Sequence, residues 1–261
     1  MQHSLTQTTI QMDKYGLVGY PLGHSFSKNY FNDKFEVEGI DAEYVNFEIS
    51  NIDDFQEVLD SNPELRGLNV TIPYKQKIIP FLDEVSKEAL EIGAVNVVKV
   101  EKRLNGTQKL IGYNSDATGF YQSIEPLIKP HHKKALILGT GGSSKAVNYV
   151  LTKMLGMEAV HVSRFHRPDT ALYSAITPEV VKEYEVIVNC TPCGMFPNND
   201  ECPPLPYEAM SDKNLLYDLV YNPDETLFMK NGAKYGATVK NGLEMLLLQA
   251  LASWEYWNGE E

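Results

Sequence analysis

The run NVTIPYK, residues 69–75, holds groups that could bind a small hydroxylated molecule and move a proton. If the run is a strand, successive side chains point to opposite faces. Asn69, Thr71 and Lys75 then share one face, allowing for a break at Pro73. Two interpretations stay open: an edge strand with a solvated face and a surface lysine, or a polar row aimed into a cleft. The other face carries Val70, Ile72 and Tyr74.

A second candidate site lies in HKKALILGTGGSSKAVNYVLTKML, residues 132–155, which reads as a strand, a glycine turn and an amphipathic helix. In a dinucleotide fingerprint the first glycine makes the turn, the second admits the pyrophosphate and the third aids packing. Ser144 stands at the third position. Free N–H groups at the helix start favour phosphate. A tight turn without a ligand is the alternative. The predicted cofactor contacts here are Gly139, Thr140, Gly141, Gly142 and Ser143.

The next apolar strand, AVHVSR, indicates which dinucleotide would bind. An NAD site usually ends this strand with a carboxylate that binds the ribose 2′-hydroxyl. Here the strand ends in Ser163 and Arg164, and a guanidinium suits a 2′-phosphate. We therefore predict NADP. A surface arginine is the alternative, and Arg167 could share the role.

The sequence CTPC, residues 190–193, has the spacing of a redox pair or of half a zinc site. A redox pair would begin a helix, whereas GMFPNND follows here and reads as a loop. A second such pair or a nearby histidine would be needed to complete a zinc site. We therefore predict no metal and no redox role for these cysteines.

Composition and charge narrow the class of protein. The chain has 261 residues, 43% of them hydrophobic, which suits one or two globular domains. Its formal net charge of −12 argues against binding to nucleic acid or to an anionic membrane. Residues 1–11 are polar and lack the apolar core of a secretory signal. We expect a cytoplasmic protein whose folded part begins at residue 12.

Strands and helices alternate along most of the chain, which predicts βαβ units and mainly parallel sheets. The expected strands are 15–20, 43–49, 66–72, 94–100, 135–139, 159–164, 186–190 and 215–221. The expected helices include 27–39, 53–62 and 75–93, and the last, over 242–257, carries Leu243, Leu246, Leu247, Ala250, Leu251 and Trp254 at helical spacing.

A hairpin near the middle of the chain favours two sheets over one barrel. EKRLNGTQKLIGYNSD reads as two extended runs around an Asn-Gly turn. A helix capped by Ser115 or Asp116 follows it, and a new βαβ series starts at Lys133. We predict an α/β protein with two α/β domains, 12–115 and 116–242. The last helix, in the segment 243–261, would return to the first domain.

Nine motifs in one order resemble the shikimate dehydrogenase family from about Tyr15 onward. They are GYPLGHSFSK, NVTIPYK, GAVNVV, GYNSDATG, GTGGSSKA, SR, NCTPCGM, YDLVYNP and KNGLEMLLLQA. The resemblance implies an N-terminal substrate domain with a mainly parallel sheet and a Rossmann-like NADP domain. It implies NADPH-dependent reduction of 3-dehydroshikimate to shikimate, on the route to aromatic amino acids. The partners would be small molecules, with the chain a monomer or homodimer.

The resemblance also implies roles for individual residues. Lys75 would act as general acid and base, and Asp116 would pair with it. At a helix start, Ser25 and Ser27 would hold the substrate carboxylate, although helix capping alone explains Ser27. The other predicted substrate contacts are Asn69, Thr71, Asn96, Tyr221 and Gln249. The further cofactor contacts are Asn189, Thr191, Met195, Leu219 and Gly242.

Three alternatives remain. A quinate or quinate/shikimate dehydrogenase on the same scaffold is the nearest. A non-catalytic ligand sensor could lack Lys75 or Asp116, yet both are present. A folate-linked dehydrogenase would not explain SFS, NVTIPYK and the terminal glutamine together.

Overall fold

A computed structural model of the chain describes residues 12–23, 26–103 and 106–259. Contacts divide the chain into two compact units, each with one six-stranded sheet. The described residues of the first unit are 12–23, 26–85, 95–103, 106–113 and 256–259, and those of the second are 86–94 and 114–255.

The first sheet is mixed, with three parallel and two antiparallel pairs of strands. Its strands are β1 (Asp13–Gly19), β2 (Ala42–Glu48), β3 (Leu65–Val70), β4 (Glu84–Val85), β5 (Val97–Lys102) and β6 (Gln108–Tyr113), in the order β2-β1-β3-β5-β6-β4. β5 and β6 form the predicted antiparallel hairpin, whose Asn105 lies outside the described residues. The helices of this unit are α1 (Phe26–Glu38) and α2 (Phe55–Asp60).

Aromatic rings form the centre of the first unit. Phe31 and Phe35, one helical turn apart on α1, are buried. The Phe31 ring lies 4.9 Å from that of Tyr44 and 5.1 Å from that of Trp257. Gly67 on β3 leaves room for the indole, since a Cβ there would lie 2.4 Å from Trp257. Burial of such rings is a large apolar contribution to stability.

The second sheet is parallel throughout. Its strands are β7 (Lys134–Leu138), β8 (Glu158–Ser163), β9 (Thr170–Leu172), β10 (Val186–Asn189), β11 (Leu215–Asp218) and β12 (Thr238–Lys240), in the order β12-β11-β10-β7-β8-β9. The helices of this unit are α3 (Lys87–Ile92), α4 (Ser115–Ile124), α5 (Gly142–Tyr149), α6 (Pro178–Glu183) and α7 (Leu227–Ala233), and most of α8 (Leu243–Asn258).

Both faces of the second sheet are covered, as its continuous apolar strands predicted. On β7, Ala135 and Ile137 belong to one apolar cluster, whereas Leu136 and Leu138 belong to another. The strand order reverses between β7 and β10, and ligands in such sheets bind beyond the carboxyl ends of the strands at this point. This arrangement agrees with the Rossmann-like domain that we expected.

The run NVTIPYK differs from the strand that we predicted. β3 ends at Val70, and turns follow it. Ile72 is 71% exposed while Tyr74 is buried, so the alternation of faces stops at the strand end. The edge-strand interpretation is also wrong, because β3 pairs with β1 on one side and β5 on the other.

The long helix predicted over 75–93 is wrong. The segment contains a 3₁₀ turn at Ile79–Phe81, the short strand β4 and only then α3. Proline in a helix interior removes a donor and clashes with the preceding turn, and Pro80 stands there. Ser86 then caps α3 by accepting from the Ala89 N–H at 3.2 Å. Gly93 ends that helix with φ +69°.

Two details of other helices also differ. Asn114 caps α4 by accepting from the Ala117 N–H, so neither Ser115 nor Asp116 is the cap. On α8 the predicted apolar face is not uniformly buried, because Leu243, Leu247 and Leu251 are about two-fifths exposed. Its last residues, 256–258, group with the first unit. Within the described residues, no helix is both long and apolar enough to cross a membrane.

Candidate active site

The buried side chain of Asn69 lies in the middle of the first sheet, near the carboxyl end of β3. Its Oδ1 accepts from the Tyr44 hydroxyl at 2.9 Å, and its Nδ2 donates to the Asn96 carbonyl at 3.3 Å. Asn96, also buried, receives the Val70 N–H on the same carbonyl at 2.8 Å. The Asn69 amide is therefore bonded to Tyr44 and to the backbone of Asn96, the other predicted substrate residue.

Thr71 and Lys75 follow β3 in the turns beyond its end, and both are half-buried. The Thr71 N–H donates to Val18 at 2.9 Å, which continues the pairing with β1. The Lys75 carbonyl accepts from the Val95 N–H at 2.7 Å, so the backbone that carries the ammonium is anchored. The predicted polar residues thus begin on an interior strand, at Asn69, and continue into a turn whose backbone is anchored by hydrogen bonds.

Ser27 is the second residue of α1 and is half-buried. Ser27 opposes the rise in the pKa of Tyr44, which places it beside the network of Asn69. Ser25, the other serine predicted to hold a carboxylate, lies outside the described residues.

The glycine turn of the second unit follows β7. Gly139 has φ +113°, a conformation that side chains rarely adopt. β8 holds it at both backbone groups: its N–H donates to Val162 at 2.9 Å, and its carbonyl lies 2.9 Å from Nδ1 of His161. The first glycine is therefore required by the turn itself.

Helix α5 begins directly after this turn with Gly141 as its cap, and this residue has no side chain that could bond the first N–H groups. A Cβ at Gly141 would meet nothing within 4 Å. Ser144, at the third position of the fingerprint, is buried and donates to the Gly141 carbonyl at 2.7 Å. The start of α5 therefore has the glycine geometry that the fingerprint predicts for a phosphate site. The predicted contact Thr140 is half-buried.

Asp116 lies in the first turn of α4 and is buried. The Ser143 hydroxyl donates to its Oδ2 at 3.2 Å. A predicted cofactor contact and a predicted catalytic carboxylate are therefore in direct contact within the second unit.

Arg164 lies just beyond β8 and is exposed. Its guanidinium carbon is 5.9 Å from the centre of the exposed Phe165 ring. Ser163, by contrast, is buried and accepts from the Phe165 N–H at 3.2 Å. The arginine is accessible to a phosphate, and the serine shapes the loop that carries it.

The side chain of Asn189, at the end of β10, is buried and bonded to protein. Its Nδ2 donates to Oδ1 of Asp218 at 2.9 Å, and its Oδ1 accepts from the Thr191 hydroxyl at 2.6 Å. Burial raises the pKa of Asp218 to about 6, and donors from Thr226, Val220 and Asn189 limit that rise. Asn189 therefore organises the loop in which Thr191, a half-buried predicted contact, is placed.

Gly242, just before α8, is in close contact with backbone. A Cβ there would lie 2.2 Å from the Leu219 carbonyl oxygen, and the Gly242 N–H donates to Val220 at 3.2 Å. The glycine is therefore needed for this crossing of two backbones. Met195 is 46% exposed and Tyr221 37% exposed, both in loops rather than in strands.

Gln249 is half-buried on α8 and faces α4. The Ser115 hydroxyl donates to its Oε1 at 3.4 Å, and its Nε2 donates to the Leu246 carbonyl at 3.0 Å. Gly119 permits this approach, because a Cβ there would lie 2.7 Å from the Met245 carbonyl oxygen and 2.9 Å from the Gln249 nitrogen.

The cysteines show the environment of packed thiols. CTPC lies in turns, and burial raises the pKa of Cys190 well above its ordinary value. Burial also raises the pKa of Cys193. A thiol with a raised pKa is a poor nucleophile near neutral pH. Across the described ranges, no group of three or more His, Cys, Asp or Glu is placed to hold a metal ion.

Sequence reasoning missed two polar residues of these networks, Tyr44 and Asp218. Tyr44 resembled an ordinary strand tyrosine, and its link to Asn69 depends on two sheet pairings. Asp218 left a clearer signal, since a carboxylate at the end of the apolar strand LLYD needs buried donors.

Comparison with known proteins agrees with this geometry. Residues 17–98 match the family described as "Shikimate dehydrogenase substrate binding domain". The shikimate dehydrogenase (NADP(+)) of Halothermothrix orenii is 38% identical over 94% of this chain and 90% of its own length.

Solved structures give the same result for the fold. Shikimate 5-dehydrogenase from Thermus thermophilus, in complex with NADP(H) and shikimate, has a TM-score of 0.80 and 31% identity over 95% of this chain and 94% of that one. Quinate dehydrogenase from Corynebacterium glutamicum, in complex with NAD, has a TM-score of 0.81 but only 25% identity, again over 95% and 94%. Because sequence and fold both match over nearly the full length of the relatives, the chain belongs to the shikimate dehydrogenase family.

Proposed function

We propose that this chain is an NADP-dependent shikimate dehydrogenase, which interconverts 3-dehydroshikimate and shikimate in aromatic amino acid biosynthesis. The observation that carries this is the buried Asn69 on an interior strand, followed by the half-buried Thr71 and Lys75 in the turns directly beyond its end. Relatives that bear the name shikimate dehydrogenase (NADP(+)) support it, at 31–38% identity.

The proposed substrate contacts are of two kinds. Ser25 and Ser27 hold the carboxylate, and the ring hydroxyls exchange hydrogen bonds with amides and hydroxyls, which can both donate and accept. These groups are Asn69, Thr71, Asn96, Tyr221 and Gln249. The buried network around Asn69 supports its role, because a fixed amide loses little entropy on binding.

The second unit fits NADP. The start of α5 is open, with space beside Gly141 for a pyrophosphate to approach. Arg164 is exposed where an NAD site would carry a carboxylate, and its guanidinium suits the 2′-phosphate. Around these, Gly139, Thr140, Gly142, Ser143 and Ser163 form the turns, and Asn189, Thr191, Met195, Leu219 and Gly242 form the nicotinamide side.

The reaction needs a hydride and a proton. NADPH, when bound, supplies the hydride to the ketone carbon. Lys75 gives a proton to the ketone oxygen in reduction and removes it in oxidation. Its pairing with Asp116 is part of the proposal, since a carboxylate would favour the charged ammonium.

A spectrophotometric assay tests the function. Purified protein is given shikimate or quinate with NADP or NAD, and the reduced cofactor is measured by its absorbance. We expect the highest kcat/KM with shikimate and NADP. Absence of turnover with every pair would contradict the enzyme and favour a ligand sensor.

Quinate oxidation with NAD is the second candidate, because the fold matches an NAD-bound quinate dehydrogenase. A higher kcat/KM with quinate and NAD would establish it. Arg164 argues against it, since an arginine at the ribose suits NADP. The predicted domain limits 12–115 and 116–242, the cytoplasmic location and the monomer or homodimer remain predictions.

A further inference from the structure

Tyr44 lies in the centre of the first unit and is almost wholly buried on β2. Its ring stacks on Phe31 at 4.9 Å and 12°. The Asn32 side chain bonds both backbone groups of Tyr44, accepting from its N–H at 2.9 Å and donating to its carbonyl at 3.0 Å. Both the ring and the backbone of this tyrosine are therefore held.

The hydroxyl of Tyr44 contacts a residue that we assign to the substrate. It donates to Oδ1 of Asn69 at 2.9 Å. Burial raises the pKa of Tyr44 well above its ordinary value. The hydroxyl therefore stays protonated, and a donor to Asn69, throughout the neutral range.

The two ends of an asparagine amide have nearly the same shape but opposite hydrogen-bonding character. The Asn96 carbonyl can accept only from the nitrogen end, so it selects one of the two orientations of the Asn69 amide. The Tyr44 hydroxyl donates to the oxygen end and stabilises that orientation. A rotated amide would present the wrong groups to a substrate hydroxyl.

We infer that Tyr44 is a positioning residue for substrate recognition, which fixes the Asn69 amide in the orientation that binds a ring hydroxyl. The inference rests on the proposed function, and it adds a residue that has no direct contact with substrate. A positioning role of this kind affects the binding of shikimate and leaves the binding of the cofactor unchanged.

The test compares Tyr44→Phe with Tyr207→Phe. Tyr207 is also buried, and its hydroxyl donates to the Pro203 carbonyl at 2.8 Å in the second unit. Each change removes one buried hydroxyl and its hydrogen bond, so thermal unfolding is measured for both. Neither substitution alters the ring shape.

In Tyr44→Phe we expect the KM for shikimate to rise about tenfold, with the KM for NADP and kcat within about threefold of wild type. Tyr207→Phe should leave all three values near wild type. In an Asn69→Ala background, Tyr44→Phe should cause no further rise in the KM for shikimate, because the amide that it positions is gone.

Equal KM values for shikimate in the two phenylalanine variants would overturn the inference. So would a full effect of Tyr44→Phe in the Asn69→Ala background, or loss of folding in Tyr44→Phe alone, which would make the hydroxyl structural. Failure of the proposed function itself would appear separately, as a wild-type protein without activity on shikimate.

Discussion

The two units carry their polar groups differently at the ends of their strands. In the first, the side chains of Asn69 and Asn96 are buried, and the Asn69 amide is bonded to its neighbours. In the second, the glycine turn before α5 offers backbone N–H groups, and Arg164 is exposed. The first unit therefore presents a fixed pattern of side chains, and the second presents backbone N–H groups together with the exposed Arg164.

This difference has a chemical reason. A cyclic substrate is recognised by the positions of its hydroxyls, which requires donors and acceptors of fixed orientation. A pyrophosphate is recognised mainly by its charge, and helix N–H groups bind any phosphate. Removal of polar side chains should therefore weaken ligand binding most in the first unit, and substitution of glycines should weaken it most in the second.

The largest expected effect is on chemistry in the first unit. Lys75→Ala should lower kcat by about 10²–10⁴, because the general acid and base is lost. Lys77→Ala is the matched control, since Lys77 is an exposed lysine two residues further on. Initial rates with saturating shikimate and NADP give kcat for each. Near-normal turnover in Lys75→Ala would remove this lysine from the mechanism.

The next effect concerns the cation of the second unit. Arg164→Ala should reduce the preference for NADP over NAD by about 10- to 100-fold, since a charged hydrogen bond contributes roughly 1.5–3 kcal/mol. The measurement is the ratio of kcat/KM for the two cofactors, with Arg167→Ala as control. A ratio unchanged in Arg164→Ala but reduced in Arg167→Ala would transfer the role to Arg167.

Substitution of two glycines tests the role of the backbone in the second unit. Gly139→Ala should lower the free energy of unfolding by roughly 1–2 kcal/mol, because φ is +113° and a Cβ would lie 3.1 Å from Thr191. Gly141→Ala should change it by less than about 0.5 kcal/mol, since a Cβ there meets open space. Denaturant titrations give both values.

The affinity for the cofactor shows whether Gly141 is needed for binding as well as for folding. The methyl group of Gly141→Ala should raise the KM for NADP, with the KM for shikimate unchanged, because backbone and pyrophosphate approach closely there. An unchanged KM for NADP would show that the pyrophosphate does not pass this residue.

The smallest effect is a pH dependence of stability in the second unit. Buried His132 accepts from the Lys129 N–H at Nδ1, 3.0 Å away, which only a neutral ring can do. Its Nε2 lies 3.2 Å from the Lys213 carbonyl. Burial and the neighbouring His131 and Lys129 lower the pKa of His132, while the Lys213 carbonyl and Glu185 oppose this.

Because the pKa of His132 is lower in the folded state, the unfolded state takes up the proton first as pH falls. The free energy of unfolding should therefore decrease as pH falls below ~6.5, by up to about 1 kcal/mol at pH ~5.5. His132→Asn should remove this part of the decrease, and His166→Asn, at an exposed histidine, should keep it. Denaturant titrations at pH ~7.5 and ~5.5 give the decrease in the free energy of unfolding for each protein. An equal decrease in wild type and both variants would contradict the assignment to His132.

Most strands could be predicted from the sequence, because short apolar runs bounded by turn residues are typical of buried strands. It failed between Lys75 and Gly93, where a helical pattern continued past Pro80 and concealed a turn and a short strand. Local hydrogen bonds decided this segment, in particular the cap at Ser86. The apolar spacing on α8 likewise did not reveal that Leu247 stays partly exposed.

The glycine turn could be predicted because the residues that form it are adjacent in the sequence. The orientation of Asn69 could not, since its partner Tyr44 is 25 residues away in sequence. Sheet register brings them together: Tyr44 of β2 pairs with Tyr15 of β1, and Asn69 of β3 pairs with Leu17, two residues further along β1. A sequence pattern gives the faces of strands but not the stagger between them.

The indole of Trp257 fills the space above Gly67 and donates to the Val98 carbonyl at 3.2 Å. Tyr256 stacks on Tyr113 at 4.6 Å. The unit that contains β1 to β6 thus takes part of its core from residues that are synthesised long after those strands. At ~5–20 residues per second, synthesis from Tyr113 at the end of β6 to Trp257 takes roughly 7–29 seconds. Nascent chains of this protein therefore carry an incomplete aromatic core until translation has passed Trp257.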